Sequence, residues 1–94
     1  MANINVTKKE DKRDGWQFTV YLEGEEGKKY SVFLEKKYYE KLAQDIADPE
    51  DLVEKSFEFL LDREPQSSIL KEFSIKEINN YFGDYEEKIK EYLE

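Results

Sequence analysis

Cysteine and histidine are both absent from this chain of 94 residues. Their absence excludes disulfides and removes the thiolate and imidazole ligands on which most zinc sites depend. It also excludes every catalytic pair of nucleophile and base that is built on either side chain. The chemistry that remains depends on carboxylates, hydroxyls, lysines and aromatic rings.

Long apolar runs are also lacking. The first twenty residues are polar and charged and contain no stretch that resembles a signal peptide or a membrane span, so we expect a cytoplasmic protein. Asn and Gln are few beside Lys and Glu, a bias seen in proteins from hot environments, although AT-rich genomes produce a similar composition. This composition favours a prokaryotic and thermophilic source.

The length predicts a single domain that spans residues 1–94. Hydrophobic residues make up 38% and aromatic residues 15%, which is enough for a packed core despite 40% charged residues. The net charge of −8 is unevenly distributed. Residues 1–37 carry eight basic and seven acidic side chains, whereas residues 38–94 carry seven and sixteen. The second part therefore disfavours binding to nucleic acids and to anionic membranes.

Alternating apolar residues in the first third predict three strands that each bury one face. The apolar positions are Ile4 and Val6, then Trp16, Phe18, Val20 and Leu22, then Tyr30, Val32 and Leu34. All are even-numbered, so the loop between the second and third strands must have an odd number of residues. A three-residue loop over residues 25–27, with Gly27 in the left-handed conformation, meets this condition. It pairs Leu22 with Tyr30, Val20 with Val32, and Phe18 with Leu34.

The connection between the first two strands has two alternatives. Arg13-Asp14-Gly15 could form a tight turn within a long two-stranded ribbon, or the stretch from Lys9 to Gly15 could be a mobile loop between shorter strands. Either alternative predicts a three-stranded antiparallel meander.

The apolar spacing changes to three and four after Glu35, which predicts helices. The first carries Tyr38, Tyr39, Leu42, Ala43 and Ile46. A second begins with Asp48 as N-cap and Pro49 at the first helical position, and it ends before Pro65. Its apolar stripe is wide, so we expect it to be central.

The last third predicts a connector and two further helices. The connector at residues 65–68 leads into a short turn from Ile69 to Phe73. Ser74 and Glu77 then form a capping box, and Gly83 ends the helix that follows. A final helix begins after Asp84. The predicted fold class is α+β, with a three-stranded antiparallel meander followed by three or four helices packed on one face.

Several of these stretches resemble a set of short, uncharacterised bacterial and archaeal single-domain proteins. The matching stretches are residues 49–61, Arg63-Glu64-Pro65, Ser68-Ile69-Leu70 and Tyr81-Phe82, with the Gly15-Trp16 and Tyr30-Ser31-Val32 strands. This resemblance implies no known activity. The order of three strands and then helices is also similar to the HicB-type antitoxin core, as an analogy of fold that lacks the appended DNA-binding helices.

The outer face of the predicted sheet is the main candidate contact surface. The predicted register places Tyr21 opposite Ser31 and diagonal to Phe33, so that the two rings touch. With Thr19, Lys28 and Lys29 they form the predicted partner-binding site. Such a face has three interpretations: cross-strand packing alone, a protein interface, or a platform on which single-stranded nucleic acid stacks.

Other polar clusters have simpler explanations. Acids at the two turns, Glu23, Glu25 and Glu26 and also Asp11 and Asp14, could bind a cation weakly but are more typical of solvated turns. Ser31 and Ser56 have only lysines as candidate bases, and Arg63 fits a helix-end or salt-bridge role. The acidic helices could recruit a basic partner, or they could serve only as a solubilising face.

The sequence therefore predicts a non-enzymatic module for protein interaction or self-association, with a protein partner or a homodimer. The alternative is a small nucleic-acid-binding protein that uses the sheet face and the hairpin tips. We expect no catalytic residue, no cofactor, no metal and no membrane association.

Overall fold

The described part of the chain forms one four-stranded sheet with helices packed on one of its faces. The structure is a computed structural model that describes residues 3–23 and 28–94. Its elements are β1 Asn3–Asp11, β2 Gly15–Glu23, β3 Lys28–Glu35, α1 Lys36–Ala43, α2 Pro49–Arg63, a 3₁₀ turn Gln66–Ser68, β4 Glu72–Ser74, a 3₁₀ turn Ile75–Glu77, α3 Ile78–Tyr81 and α4 Tyr85–Leu93. The strand order is β1-β2-β3-β4. The α+β class is confirmed.

Side chains alternate across β2 and β3 as the sequence predicts. Phe18, Val20, Leu22, Val32 and Leu34 are completely buried beneath the helices. From residue 17 onward, the odd-numbered residues of the same strands are only partly buried or exposed. The period-two pattern therefore identifies the core face correctly.

The pairing between β2 and β3 differs by two residues from the predicted register. Val20 pairs with Tyr30, and Phe18 pairs with Val32. A shift of two residues leaves every side chain on its own face, so the hydrophobic pattern does not distinguish the two registers. The observed pairs continue to Leu22 with Lys28. The turn predicted over residues 25–27 lies outside the described residues.

The first hairpin is the long ribbon, one of the two predicted alternatives. The backbone N–H of Lys12 donates to the carbonyl of Gly15 at 2.8 Å and closes the turn. A register shift between Val6 and Lys8 shows a bulge in β1. Beyond the bulge Lys9 pairs with Phe18 and lies on the helix side, where its ammonium is 3.4 Å from the carboxylate of Glu50.

A fourth strand corrects the predicted three-stranded meander. β4 pairs with β3 in parallel, so the sheet is mixed. The sequence predicts a short turn from Ile69 to Phe73, whereas the last two residues of that stretch, Glu72 and Phe73, belong to β4. The backbone N–H of Ser31 donates to the carbonyl of Lys71 at 2.8 Å. Three residues are too few to show a strand period, so this strand depends on tertiary pairing.

The first helix is shorter than predicted, since α1 ends at Ala43. The chain then turns at Asp45, whose φ of 68° is a left-handed conformation that Asp tolerates. The turn carries Ile46 out of the helix, and its side chain is 55% exposed.

The second helix is central and begins at Pro49, as predicted. The backbone N–H of Asp48 donates to the carboxylate of Asp51 at 3.4 Å across the first turn. Phe57 packs edge-on against Tyr30 of the sheet, with 5.6 Å between ring centroids. Phe59 packs against Tyr85 of α4 at 5.3 Å. The wide apolar stripe of α2 therefore packs against both the sheet and α4.

The third helix departs from the prediction in its first turn. Ser74 precedes a 3₁₀ turn, and its side chain makes no capping hydrogen bond. Gly83 follows the C-cap residue Phe82, so the helix ends where the sequence predicts, although Gly83 has no positive φ. The last helix forms as predicted, and Ile89 is buried on it.

Candidate functional site

The two aromatic residues of the predicted sheet site lie apart. Tyr21 is opposite Lys29, and Phe33 is opposite Gln17. Phe33 lies four positions along β3 from Lys29, the partner of Tyr21, which is about 13 Å at the strand rise. The observed register therefore corrects the predicted diagonal contact between Tyr21 and Phe33. Phe33 packs instead over the start of β2, because its ring lies 2.9 Å from where a Cβ on Gly15 would be.

The other predicted residues of that site are also divided between the two faces. Thr19 lies on the outer face opposite Ser31, and Lys29 is exposed on the same face. Lys28 is the register partner of buried Leu22, so it lies on the helix-covered side. Tyr21 and Lys29 are therefore neighbours, but the five residues of the predicted site do not form one cluster. The binding role of this set stays a prediction.

The outer face is polar, and some of the basic residues along it have acidic partners. The side-chain amide of Gln17 donates to the hydroxyl of Ser31 at 2.6 Å. Lys8 and Lys12 both contact the carboxylate of Glu10, at 3.0 and 3.4 Å. These ion pairs lower the pKa of Glu10 and offset the positive charge along this edge.

The buried hydroxyl of Ser56 has a structural role. Ser56 is buried in the core, where its hydroxyl lies 2.7 Å from the carbonyl of Leu52 and 2.6 Å from the phenol of Tyr85. Within residues 3–23 and 28–94, no three or more acidic side chains are grouped so that they could hold a metal ion.

Arg63 connects the end of α2 to the start of α4, as the salt-bridge interpretation predicts. Its guanidinium donates to both carboxylate oxygens of Asp84, at 3.2 and 2.6 Å. It also lies 4.6 Å from the ring centroid of Phe59 and 5.8 Å from that of Phe82. The hydrogen bonds from Arg63 lower the pKa of Asp84. The charges of Arg63 and Asp84 therefore pair with each other within the molecule.

An apolar groove opens between the end of α2, β4 and α3. Its volume is about 370 Å³. Leu60, Ile69 and Ile78 line it and are less than a tenth exposed, whereas Phe73 and Phe82 are partly buried. The name apolar groove is used below for these five residues together with Leu70 and Tyr81 at the rim.

The rim of the apolar groove carries two large exposed side chains. Leu70 is 53% exposed and Tyr81 is 68% exposed, and both line the groove. The part of the chain that the structure describes has one further large apolar side chain that is this exposed, Ile46. Two of the three therefore meet at one concave surface, which is typical of a contact site rather than of scattered surface residues.

Two carboxylates also line the apolar groove. Glu64 follows the last residue of α2, and Glu77 lies in the 3₁₀ turn before α3. Both are partly buried, and neither forms an ion pair within the described ranges. Their neighbours in sequence are already paired, Arg63 with Asp84 and Lys76 with Glu35 at 3.5 Å. The groove is therefore apolar at its base and negatively charged at its edge.

The periodicity of the sequence does not identify this groove, although the sequence contains a signal of it. Ile69-Leu70 and Tyr81-Phe82 are pairs of adjacent apolar residues. In a turn or a helix end, adjacent side chains point in different directions, so one member of each pair is expected to reach the surface. Ile69 is buried and Leu70 is exposed, and Phe82 is likewise more buried than Tyr81.

Comparison with protein-family models, with curated proteins and with solved structures finds no match. The resemblances to short prokaryotic proteins and to the HicB-type core therefore stay predictions. No helix in residues 3–23 and 28–94 combines the length and the apolar content that crossing a membrane requires.

Proposed function

We propose that this protein is a non-enzymatic protein-interaction module and that it binds its partner through the apolar groove. The observation that carries the proposal is the meeting of Leu70 and Tyr81 at the rim of one concave apolar surface. Exposed apolar area is unfavourable in water, and full burial of a large apolar side chain contributes about 1.5–3 kcal/mol. Leu70 and Tyr81 are 53% and 68% exposed, so docking of a partner over this rim would recover part of that energy for each.

A protein partner accounts for the rim better than a small ligand does. The groove volume of about 370 Å³ lies at the small end of the range for small-molecule sites. A ligand confined to the groove would leave the outer surfaces of Leu70 and Tyr81 in water. A polypeptide that crosses the groove covers both.

The nucleic-acid alternative has less support. Base stacking on a sheet needs aromatic rings placed at the spacing of successive bases, together with a positively charged track. Tyr21 and Phe33 are separated along the sheet, and Lys8 and Lys12 are paired with Glu10. We therefore favour the groove over the sheet face.

Selection of random peptides displayed on phage tests the proposal. We expect clones that bind the wild-type protein and lose at least tenfold in affinity for a Leu70→Ser/Tyr81→Ser variant. The matched control is Ile46→Ser, which removes a side chain of nearly the same exposure, 55% against 53% for Leu70, outside the groove. The control should bind the same clones as the wild type. Clones that bind all three proteins equally, or no enriched clones, would overturn the groove as the contact site.

Sedimentation velocity over a concentration series separates self-association from binding to a different protein. If the partner is a second copy, the wild type should form dimers that the Leu70→Ser/Tyr81→Ser variant does not form. A wild-type monomer at all concentrations assigns the groove to a different protein.

A further inference from the structure

We infer that the partner segment is an amphipathic helix whose apolar anchor residues are flanked by Lys or Arg. This inference rests on the proposed function and specifies the chemistry of the occupant. It starts from the two carboxylates at the edge of the apolar groove, Glu64 and Glu77.

The charge around the groove selects a basic partner. No Lys or Arg is among the described residues that line it, and Lys71, next in sequence to the rim, is not part of the lining. The nearest cations in sequence, Arg63 and Lys76, pair with Asp84 and Glu35. The carboxylates of Glu64 and Glu77 are therefore available to an incoming cation. Residues 38–94, with sixteen acidic and seven basic side chains, strengthen this preference.

The shape of the site favours a helix over an added strand. A peptide that extends the sheet gains affinity from backbone hydrogen bonds along an exposed edge. β4 is the edge strand at the groove, and it has three residues, Glu72–Ser74. Such an edge offers few backbone groups. A helix instead presents side chains four residues apart, about 5–6 Å from each other, to a side-chain-lined groove.

Three labelled peptides, followed by fluorescence anisotropy, test this inference. The first is an alanine-based helix with two central leucines four residues apart and lysines at both ends. The second replaces the lysines with glutamates, and the third keeps the lysines but has a central proline, which breaks the helix. We expect the first to bind at least tenfold more tightly than either of the others. The advantage over the glutamate peptide should shrink as salt is raised, because exposed charges are screened.

Charge variants of the protein connect the result to the groove. Glu64→Gln/Glu77→Gln should weaken binding of the lysine peptide by about fivefold. The matched control is Glu72→Gln, which removes a carboxylate on the outer sheet face, opposite Ser31 and outside the groove lining. It should change the affinity by less than about twofold.

Several results would overturn the inference. They are equal binding of the lysine and glutamate peptides, equal effects of the two charge variants, and no binding of the lysine peptide up to about 1 mM.

Failure of this inference is distinguishable from failure of the proposed function. If phage-selected peptides depend on Leu70 and Tyr81 but carry no basic residues, the groove remains the contact site and only the partner chemistry is wrong. If no peptide depends on Leu70 and Tyr81, the proposed function itself fails.

Discussion

At the scale of single residues, the contact between Ser56 and Tyr85 brings two hydroxyls into the core. Both residues are fully buried. The serine hydroxyl has one proton, which it donates to the carbonyl of Leu52, so the phenol of Tyr85 must donate to the serine oxygen. The two residues therefore depend on each other unequally. Ser56 keeps the carbonyl of Leu52 as a partner when the phenol is removed, whereas Tyr85 has no partner left when the serine hydroxyl is removed.

This asymmetry predicts which substitution costs more. Ser56→Ala leaves a buried phenol without a partner and should lower the free energy of unfolding by about 2 kcal/mol. Tyr85→Phe removes one hydrogen bond and should lower it by about 1 kcal/mol. Urea denaturation of the two variants and the wild type measures both values.

The double variant is the control. Once the phenol is gone, Ser56→Ala leaves no unpaired donor, so the double variant should be more stable than Ser56→Ala alone. A Ser56→Ala variant as stable as Tyr85→Phe would contradict the assignment of donor and acceptor.

At the scale of elements, the start of β2 is packed against the end of β3. Gly15 is buried and pairs with Glu35. A Cβ at this position would lie 2.9 Å from the Cα of Glu35 and 2.9 Å from the ring of Phe33, and it would also clash with the carbonyl of Leu34. The backbone of β3 therefore approaches too closely for any side chain.

The sequence contains a matched pair of glycines that tests this packing. Gly15→Ala should lower the free energy of unfolding by about 2 kcal/mol or more, because the neighbouring backbone must move. Gly83 has no atom within 4 Å of its added Cβ and has no positive φ. Gly83→Ala should therefore leave stability within about 0.5 kcal/mol of the wild type or raise it. Equal losses in urea denaturation would contradict the close approach.

At the scale of the whole molecule, tyrosine hydroxyls connect the helices to one another. Tyr38 of α1 donates to Glu86 of α4 at 2.9 Å, and Tyr92 of α4 donates to Asp62 of α2 at 2.5 Å. Burial raises the pKa of Tyr38 and that of Tyr85. The hydrogen bond to Asp62, with partial burial, raises the pKa of Tyr92 to about 12.

These shifts predict loss of stability in alkali. A tyrosine whose folded pKa exceeds its unfolded value near 10 contributes stability that is fully present below about pH 10. That contribution is lost as the pH rises through the folded pKa. The free energy of unfolding should therefore fall between about pH 10 and about 12. Urea denaturation across this window measures the decline, which should be shallower for Tyr92→Phe; an identical decline would contradict the role of Tyr92.

The sequence alone determined the faces and the main boundaries of the fold. Period-two alternation identified the buried side of β2 and β3, and Asp48 and Pro49 located the start of α2. Both signals are local: side-chain direction follows from strand geometry, and a helix start follows from capping and from the fixed φ of proline.

Only the tertiary structure decided the register, the fourth strand and the apolar groove. A slip of two residues keeps all side chains on their faces, so Tyr21 and Phe33 could be adjacent or separated with the same pattern. β4 has too few residues to show a period, and it forms because β3 presents an unpaired edge. The groove combines residues from α2, β4 and α3, which are brought together by packing around Phe57 and Phe59 rather than by spacing along the chain.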